Sequence, residues 1–348
     1  MSEKDWKKQR RFRQGFASLL QKILKKPLQQ TPYTGPLHSV VILAQEKYGD
    51  AILLTPLLKQ LKQQFPAIAI HVVTFSKATY EFFRSDRHID TLHCTKGNVW
   101  NYYRQMLTKR FDLLFNTKDH PSTSFILQSI IIRAYRKAGI DCEYHRGIYD
   151  YLVDLDFHTQ IALKNCGLLS ILGKPVLSDM CRPYIPPMPV SPAILQFITS
   201  LSDRPCIGIN ISAGGATRYW TEENWLKLTR AFPERQFLVL SAPTEREQKA
   251  RLERHCPNII PSPETANLYE TNLIVGKTVL LVTPDTAMVH VASCSGIPVI
   301  GLYGIAAQDQ SRFRPFLVTH RMLISPTALV KDITAEHVIV ELNLLLGK

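Results

Sequence analysis

The sequence predicts an α/β protein built from two doubly wound parallel-sheet domains. Three observations lead there. Short apolar runs alternate with longer amphipathic stretches in two separate series, the order that produces βαβ units and parallel strands. A proline-dense stretch divides the two series, because Pro183, Pro186, Pro187, Pro189 and Pro192 break any helix or strand. The third is the segment 278–304, TVLLVTPDTAMVHVASCSGIPVIGLYG, which reads as strand, turn, helix, glycine break and strand. The expected organisation is a basic N-terminal extension at 1–36, a first domain at 37–182, a linker at 183–192 and a second domain at 193–348.

The chain opens on a cationic stretch. Residues 1–30 carry Lys4, Lys7, Lys8, Arg10, Arg11, Arg13, Lys22, Lys25 and Lys26 against Glu3 and Asp5, more than half of the formal net charge of +13. Phe12, Phe16, Leu19, Leu20, Ile23 and Leu24 fall at helical spacing, giving an apolar stripe with cationic flanks. Such a helix suits the surface of an anionic bilayer. A helix packed on the protein, a solvated tail and an RNA-binding arm are the other readings. The rest of the chain lacks the interleaved aromatic and basic pattern of a nucleic-acid platform, which argues against nucleic acid as a partner.

After a turn-rich link at 30–36, residues 39–44 form a near-continuous apolar strand, 50–64 an amphipathic helix and 69–75 the next strand. That order is a βαβ unit with a right-handed crossover. Residues 111–116 and 151–157 read as later strands of the same half. The second series opens with a strand at 206–211, a helix at 222–231, a strand at 236–240 and a helix at 245–254. Within 278–304, the strand is 279–282, turn and N-cap chemistry is at 283–286, the helix is 287–294, Gly296 ends it and 298–303 is a strand. Residues 335–346 make a closing helix. In such folds ligands bind outside the carboxyl ends of the strands, here expected in one cleft shared by two sheets.

Composition removes several classes. At 45% hydrophobic and 20% charged, 348 residues make an ordinary globular chain long enough for two cores. No run of 18 apolar residues and no signal peptide is evident, so a cytoplasmic chain is expected. The seven cysteines are dispersed without a C-x-x-C or a Cys/His cluster, which reads as reduced thiols and no metal site. There is no Ser-His-Asp pattern, Walker loop or G-x-G-x-x-G fingerprint. A D-x-D at Asp154-Leu155-Asp156 falls in an alternating apolar run and reads as strand alternation.

The polar residues worth singling out sit at expected strand ends. Asp50 lies where the first loop enters its helix, a place for a helix cap or for a carboxylate held ready to take a proton. Between 212 and 218, Ser212, Gly214, Gly215 and Arg218 suit a phosphate, with small residues for close approach and a permanently charged fork. Asp285, Thr286 and Ala287 open a helix whose positive end favours an anion, and His290 follows one turn along. Trp220 and Trp225 read as core residues.

Three segments, in order, resemble the heptosyltransferase family. The first is Tyr48-Gly49-Asp50-Ala51-Ile52-Leu53-Leu54-Thr55-Pro56 with Leu61 and Phe65-Pro66, like its G-D-x-x-x-x-x-P…L…F-P opening. The second is Ser212 to Trp220 with Glu222 and Trp225, like its P-G-A…K/R-x-W-x-x-E-x-W segment. The third is Asp285-Thr286 with His290 and Ala292, then Pro298 to Gly304, like its D-T-x-x-x-H-x-A and P-V-I-G-L-Y-G signature. One position departs from the family: Ala287 stands where it usually has Gly, and its Cβ reduces the room for phosphates.

The resemblance implies the GT-B architecture, two Rossmann-like domains with acceptor in the first and nucleotide sugar in the second. It implies an inverting glycosyltransferase, without a metal or other cofactor, moving heptose from ADP-heptose to a lipopolysaccharide inner-core precursor. Asp50 is then the general base and Arg218 the cation on the leaving diphosphate. Ser212, Gly214, Gly215, Asp285, Thr286, Ala287 and His290 face the donor, and Glu245 its ribose. The acceptor is rich in phosphate and carboxylate, so Lys118 and His120, following the strand at 111–116, are candidates to bind it. A peripheral place at the inner face of the inner membrane follows from the cationic tail. The alternatives are another nucleotide sugar, a protein acceptor, or a non-catalytic glycolipid- or nucleotide-binding protein on the same fold.

Overall fold

The computed structural model describes residues 3–97 and 99–347, with side chains from residue 8 onward. The side chains of Glu3, Lys4, Asp5 and Lys7 in the cationic tail lie outside the described residues. The chain divides into two compact units, Met1–Cys181 and Arg182–Lys348.

In the first unit α1 (Glu3–Leu24) precedes β1 (Ser39–Leu43), α2 (Tyr48–Gln64), β2 (Ala69–Thr74), α3 (Lys77–Phe83) and β3 (Thr91–Cys94). Then come α4 (Val99–Thr108), β4 (Phe111–Asn116), α5 (Thr123–Ile131), β5 (Ala134–Ile140), β6 (Tyr151–Val153), α6 (Ile161–Cys166) and α7 (Leu168–Ile171). Among the described residues the strands form one six-stranded parallel sheet in the order β3-β2-β1-β4-β5-β6. β1 and β4 at its centre are almost wholly buried, which is why both read as continuous apolar runs.

The second unit runs α8 (Pro192–Ser200), β7 (Cys206–Asn210), α9 (Glu222–Arg230), β8 (Gln236–Leu240), α10 (Arg246–His255), β9 (Ile259–Ile260) and α11 (Leu268–Val275). It continues with β10 (Thr278–Pro284), α12 (Ala287–Ser295), β11 (Val299–Tyr303), α13 (Ala307–Arg312), β12 (His320–Ile324) and α14 (Ala335–Leu345). Among the described residues its six parallel strands are ordered β12-β11-β10-β7-β8-β9, the winding of the first sheet again. In each unit the order reverses beside the first strand, between β1 and β4 and between β7 and β10. Such a reversal opens a crevice at the carboxyl ends of the two strands.

Local chemistry explains several elements that bear on these crevices. Pro56 inside α2 cannot donate to the Ile52 carbonyl, and Thr55 Oγ1 does so instead at 2.8 Å. Thr286 caps α12, its hydroxyl accepting from the Met288 amide at 3.2 Å. Gly296 closes the same helix at φ 73, a left-handed conformation that costs glycine nothing. Trp220 and Trp225 are core residues of the second unit, edge to face at 4.6 Å, with Trp220 Nε1 donating to the Ile333 carbonyl at 2.7 Å.

Two readings are revised. β6 stops at Val153, so Asp154-Leu155-Asp156 is loop rather than strand alternation. Asp156 Oδ1 accepts the His158 amide at 2.7 Å there, the short-range bonding that carries acidic residues out of strands. The apolar stripe of α1 also splits in two. Ala17 is fully buried in the first unit's core, with Phe16 and Leu20 packed against it, while Phe12, Leu19 and Ile23 stay exposed. No helix among the described residues is long and apolar enough to cross a membrane.

Candidate functional site

Asp50 lies in the first turn of α2, at the mouth of the crevice between β1 and β4. It is half-buried, and that desolvation raises its carboxyl pKa, opposed by the nearby Lys118 and Lys47 ammonium groups and reinforced by Glu46 and Asp119. A carboxylate so placed is a stronger base than one in water.

The chain leaving β4 brings Lys118, Asp119 and His120 to the same end of the sheet. Asn116 fixes that turn by accepting the Lys118 amide at 3.0 Å while its own amide donates to Tyr149 Oη at 2.6 Å. Thr117 Oγ1 donates to the Leu43 carbonyl at the end of β1 (2.7 Å), and Gln45 Nε2 to the Thr117 carbonyl (3.0 Å). Lys118, 9% exposed, pairs with Glu46 at 2.9 Å. His120 Nδ1 is 3.3 Å from Asp119, which is itself 3.3 Å from the buried Lys164 ammonium. Asp50, Lys118 and His120 thus share one strand end. Glu46, which the motif reading passed over, is four residues before Asp50, in the loop that leads into α2.

In the second unit the loop after β7 holds Ser212, Gly214, Gly215 and Arg218. Neither glycine has a positive φ, and a Cβ at either would meet nothing within 4 Å. Their contribution is open space above the sheet rather than a strained turn. Arg218 reaches across to α12 and α13. Its Nη1 is 3.0 Å from Asp285 Oδ2 and 3.1 Å from the Asp285 carbonyl, and its Nη2 is 3.2 Å from Asp309 Oδ2. Asp285 is 6% exposed, and its amide still donates to Leu302 of β11 at 2.9 Å.

Asn210, nearly fully buried at the end of β7, ties the loops together. Its Nδ2 lies 3.0 Å from the Ser212 carbonyl, 2.9 Å from Thr283 Oγ1 and 3.3 Å from Thr286 Oγ1. Glu245, just before α10, accepts from Ser212 Oγ (2.8 Å), Tyr219 Oη (2.7 Å) and Thr244 Oγ1 (2.8 Å). Burial pushes its carboxyl up, and these three donors outweigh that and hold it below the usual range. Ala287 is the first residue of α12 and half-exposed, so its methyl lines the positive end of that helix. His290 is buried a turn deeper, 6.4 Å from the Phe313 ring, with Nδ1 unpartnered. Burial lowers its pKa to about 4, so the ring is neutral.

Asn210, Tyr219 and Asp309 were not legible as site residues. Tyr219 lies inside the quoted second segment, and Asp309 is six residues past Tyr303, where the third segment ends. Neither has a spacing that marks it, since convergence in space is what gives each a partner. Among the described residues no three His, Cys, Asp or Glu side chains gather to hold a metal ion.

A parallel sheet whose switch point offers a helix N-terminus, a fixed arginine and a hydroxyl-bonded carboxylate has the form of a nucleotide site in an α/β protein. The sequence pattern of glycosyltransferase family 9 (heptosyltransferase) matches residues 99–336, more than half of the chain, and the protein belongs to that family. It is a glycosyltransferase. Comparison with curated proteins gave no match.

Solved structures agree on the fold. A glycosyltransferase family 9 protein from Veillonella parvula matches with TM-score 0.69 at 19% identity, over 92% of this chain and 99% of that one. E. coli heptosyltransferase WaaC with ADP matches at 0.64 and 16%, over 88% and 98%. E. coli ADP-heptose lps heptosyltransferase II matches at 0.66 and 18%, over 89% and 98%. WaaC with ADP-2-deoxy-2-fluoro heptose is also similar, at 0.64 and 15%, over 89% and 100%.

Proposed function

We propose that this chain transfers heptose from ADP-heptose to a lipopolysaccharide inner-core acceptor, with inversion and without a required metal. The observation that carries the reading is the switch point of the second unit, where Arg218, anchored by Asp285 and Asp309, stands at the positive end of α12. A diphosphate leaving group needs fixed positive charge of this kind. The E. coli enzymes named for ADP and ADP-heptose support the choice of donor.

In the reaction, Asp50 takes the proton from an acceptor hydroxyl as its oxygen attacks the anomeric carbon. The bond from that carbon to the diphosphate oxygen breaks, and its electron pair goes to the ADP leaving group. Arg218, the loop at 212–218 and the α12 terminus meet the growing negative charge. Glu245, already held ionised by three hydroxyl donors, is suited to accept from the ribose hydroxyls. Thr286 caps the helix, and Asp285 orients Arg218. Lys118 and His120 serve the acceptor's anionic groups.

We infer a peripheral site of action at the inner leaflet of the inner membrane, in the cytoplasm, a reading that the outer face of α1 supports. Phe12 (66% exposed) and Ile23 (65%) point outward among basic side chains, the pattern of an interfacial helix. Calorimetry tests the donor site: ADP should bind in preference to UDP and GDP, and Arg218→Ala should lose it. A purified chain that binds no nucleotide would favour the non-catalytic alternative, in which the Ala287 methyl occupies phosphate space. ADP release that depends on heptose-deficient lipopolysaccharide, rather than on a protein, tests the acceptor.

A further inference from the structure

α1 is fastened to the first unit along one side. Ala17 is fully buried, with Phe16 and Leu20 packed beside it. One turn on, Gln21 Nε2 donates to the carbonyls of Glu143 (2.7 Å) and Arg146 (2.9 Å). Past the helix, Lys26 Nζ is 2.9 Å from Asp150 Oδ2, and the Lys26 and Gln29 amides donate to the carbonyls of Gly147 and Asp150. These anchors fix the rotation of the helix about its axis.

That rotation decides where Arg13 goes. Arg13 precedes Phe16 by three residues and Ala17 by four, the spacing that places side chains on one helix face. It lines a pocket of about 420 Å³ together with Glu46, Lys118, His120, Ser122, Thr123 and Ser124. The last three are the N-cap and first turn of α5, and Ser122 makes no side-chain cap bond there. Thr123 Oγ1 is buried without a hydrogen-bond partner, an unfavourable state that a ligand oxygen relieves. Lys118 is 9% exposed, so one wall of the pocket is a nearly buried cation. Glu46 holds that cation at 2.9 Å, and Arg13 adds a second positive charge to a lining whose carboxylate is Glu46, with Asp119 behind His120. A guanidinium, an ammonium, an imidazole, hydroxyls and a helix terminus around one space suit an oxyanion with several acceptor oxygens.

We propose that α1 completes an anion pocket that reads a phosphate or carboxylate substituent of the acceptor, with Arg13 as its specificity residue. The proposal rests on the first unit's being the acceptor domain. It gives the helix two faces with two tasks, the outer one on the bilayer and the inner one on the head group of the acceptor.

The test uses the full chain with glucose 6-phosphate, glucuronate and neutral glucose, titrated by saturation-transfer NMR, and ADP by calorimetry in parallel. Wild type should bind the two anionic sugars in preference to glucose. Arg13→Gln should weaken both about tenfold, the scale of one charge-assisted hydrogen bond, with ADP binding unchanged. Arg13→Lys should retain the phosphate better than the planar carboxylate. Phosphatidylglycerol vesicles separate head-group reading from membrane docking, because a Phe12→Ser/Ile23→Ser double variant should leave the vesicles and still bind the sugars. Equal binding of both anions by wild type and Arg13→Gln overturns the proposal, as does a wild type that binds ADP and neither anion. Arginine-dependent sugar binding in a chain that fails to bind ADP supports the pocket and defeats the donor reading instead.

Discussion

The two switch points share a winding and differ in chemistry. Between β1 and β4 the key carboxylate, Asp50, is half-buried and its pKa is pushed up. Between β7 and β10 the key cation, Arg218, is held by two carboxylates, and the Glu245 carboxyl accepts from three hydroxyls and is pushed down. The first arrangement leaves a group ready to change protonation state. The second locks charges in place so that they cannot. One topology thus carries two electrostatic environments, and desolvation against hydrogen bonding decides which is which.

The sharpest way to break this contrast is Asp50→Asn. Transfer should fall by about 10³–10⁴ with ADP affinity unchanged, read as ADP release rate and calorimetric Kd. A matching loss of ADP binding would make Asp50 part of the donor site. Arg218→Ala should do the reverse, weakening ADP binding and lowering turnover by about 10²–10³. Arg218→Lys should recover part of the affinity, because one charge returns without the fork.

Acid should separate the units. His71, His93 and His145 in the first unit and His290 in the second are each lowered by burial to about 4 from 6.5. Below pH 6.5 the unfolded chain takes up these protons first, so stability present above 6.5 is lost as pH falls towards 4. With roughly 1–3 kcal/mol expected per histidine, the first unit should unfold at higher pH than the second. His71 and His93 stack with nitrogens 3.2 Å apart, so His71→Phe should blunt the acid loss there. Glu245→Gln should have the smallest effect, about a few-fold in ADP Kd, by removing one charged acceptor. No change would assign Glu245 to bracing Ser212 and Tyr219 alone.

The core strands were legible. β4 and β8 have the expected ends because buried parallel strands write continuous apolar runs. β5 was not, since Tyr135, Arg136 and Lys137 interrupt its apolar pattern where the strand is only partly buried. The helix starting at 222 was legible from its cap and periodicity, but α13 is too short and polar to carry a period. At the site, Asp50, Arg218 and Asp285 stood out because three spaced segments resemble one family. Arg13 stood out only as one of nine basic residues in a tail. What distinguishes it is the fixed rotation of α1, which depends on Gln21 and Lys26 finding partners more than a hundred residues away.

Asn210 carries a last consequence. By joining the Ser212 carbonyl to Thr283 and Thr286 it makes two loops from distant parts of the sequence into one rigid rim before any ligand arrives. The cost of ordering those loops is met once, during folding, and is absent from each catalytic cycle. Nucleotide capture at this rim should therefore run with little entropic penalty and little lag, and Asn210→Ala should slow association by loosening the two loops while removing none of the groups proposed to touch the nucleotide.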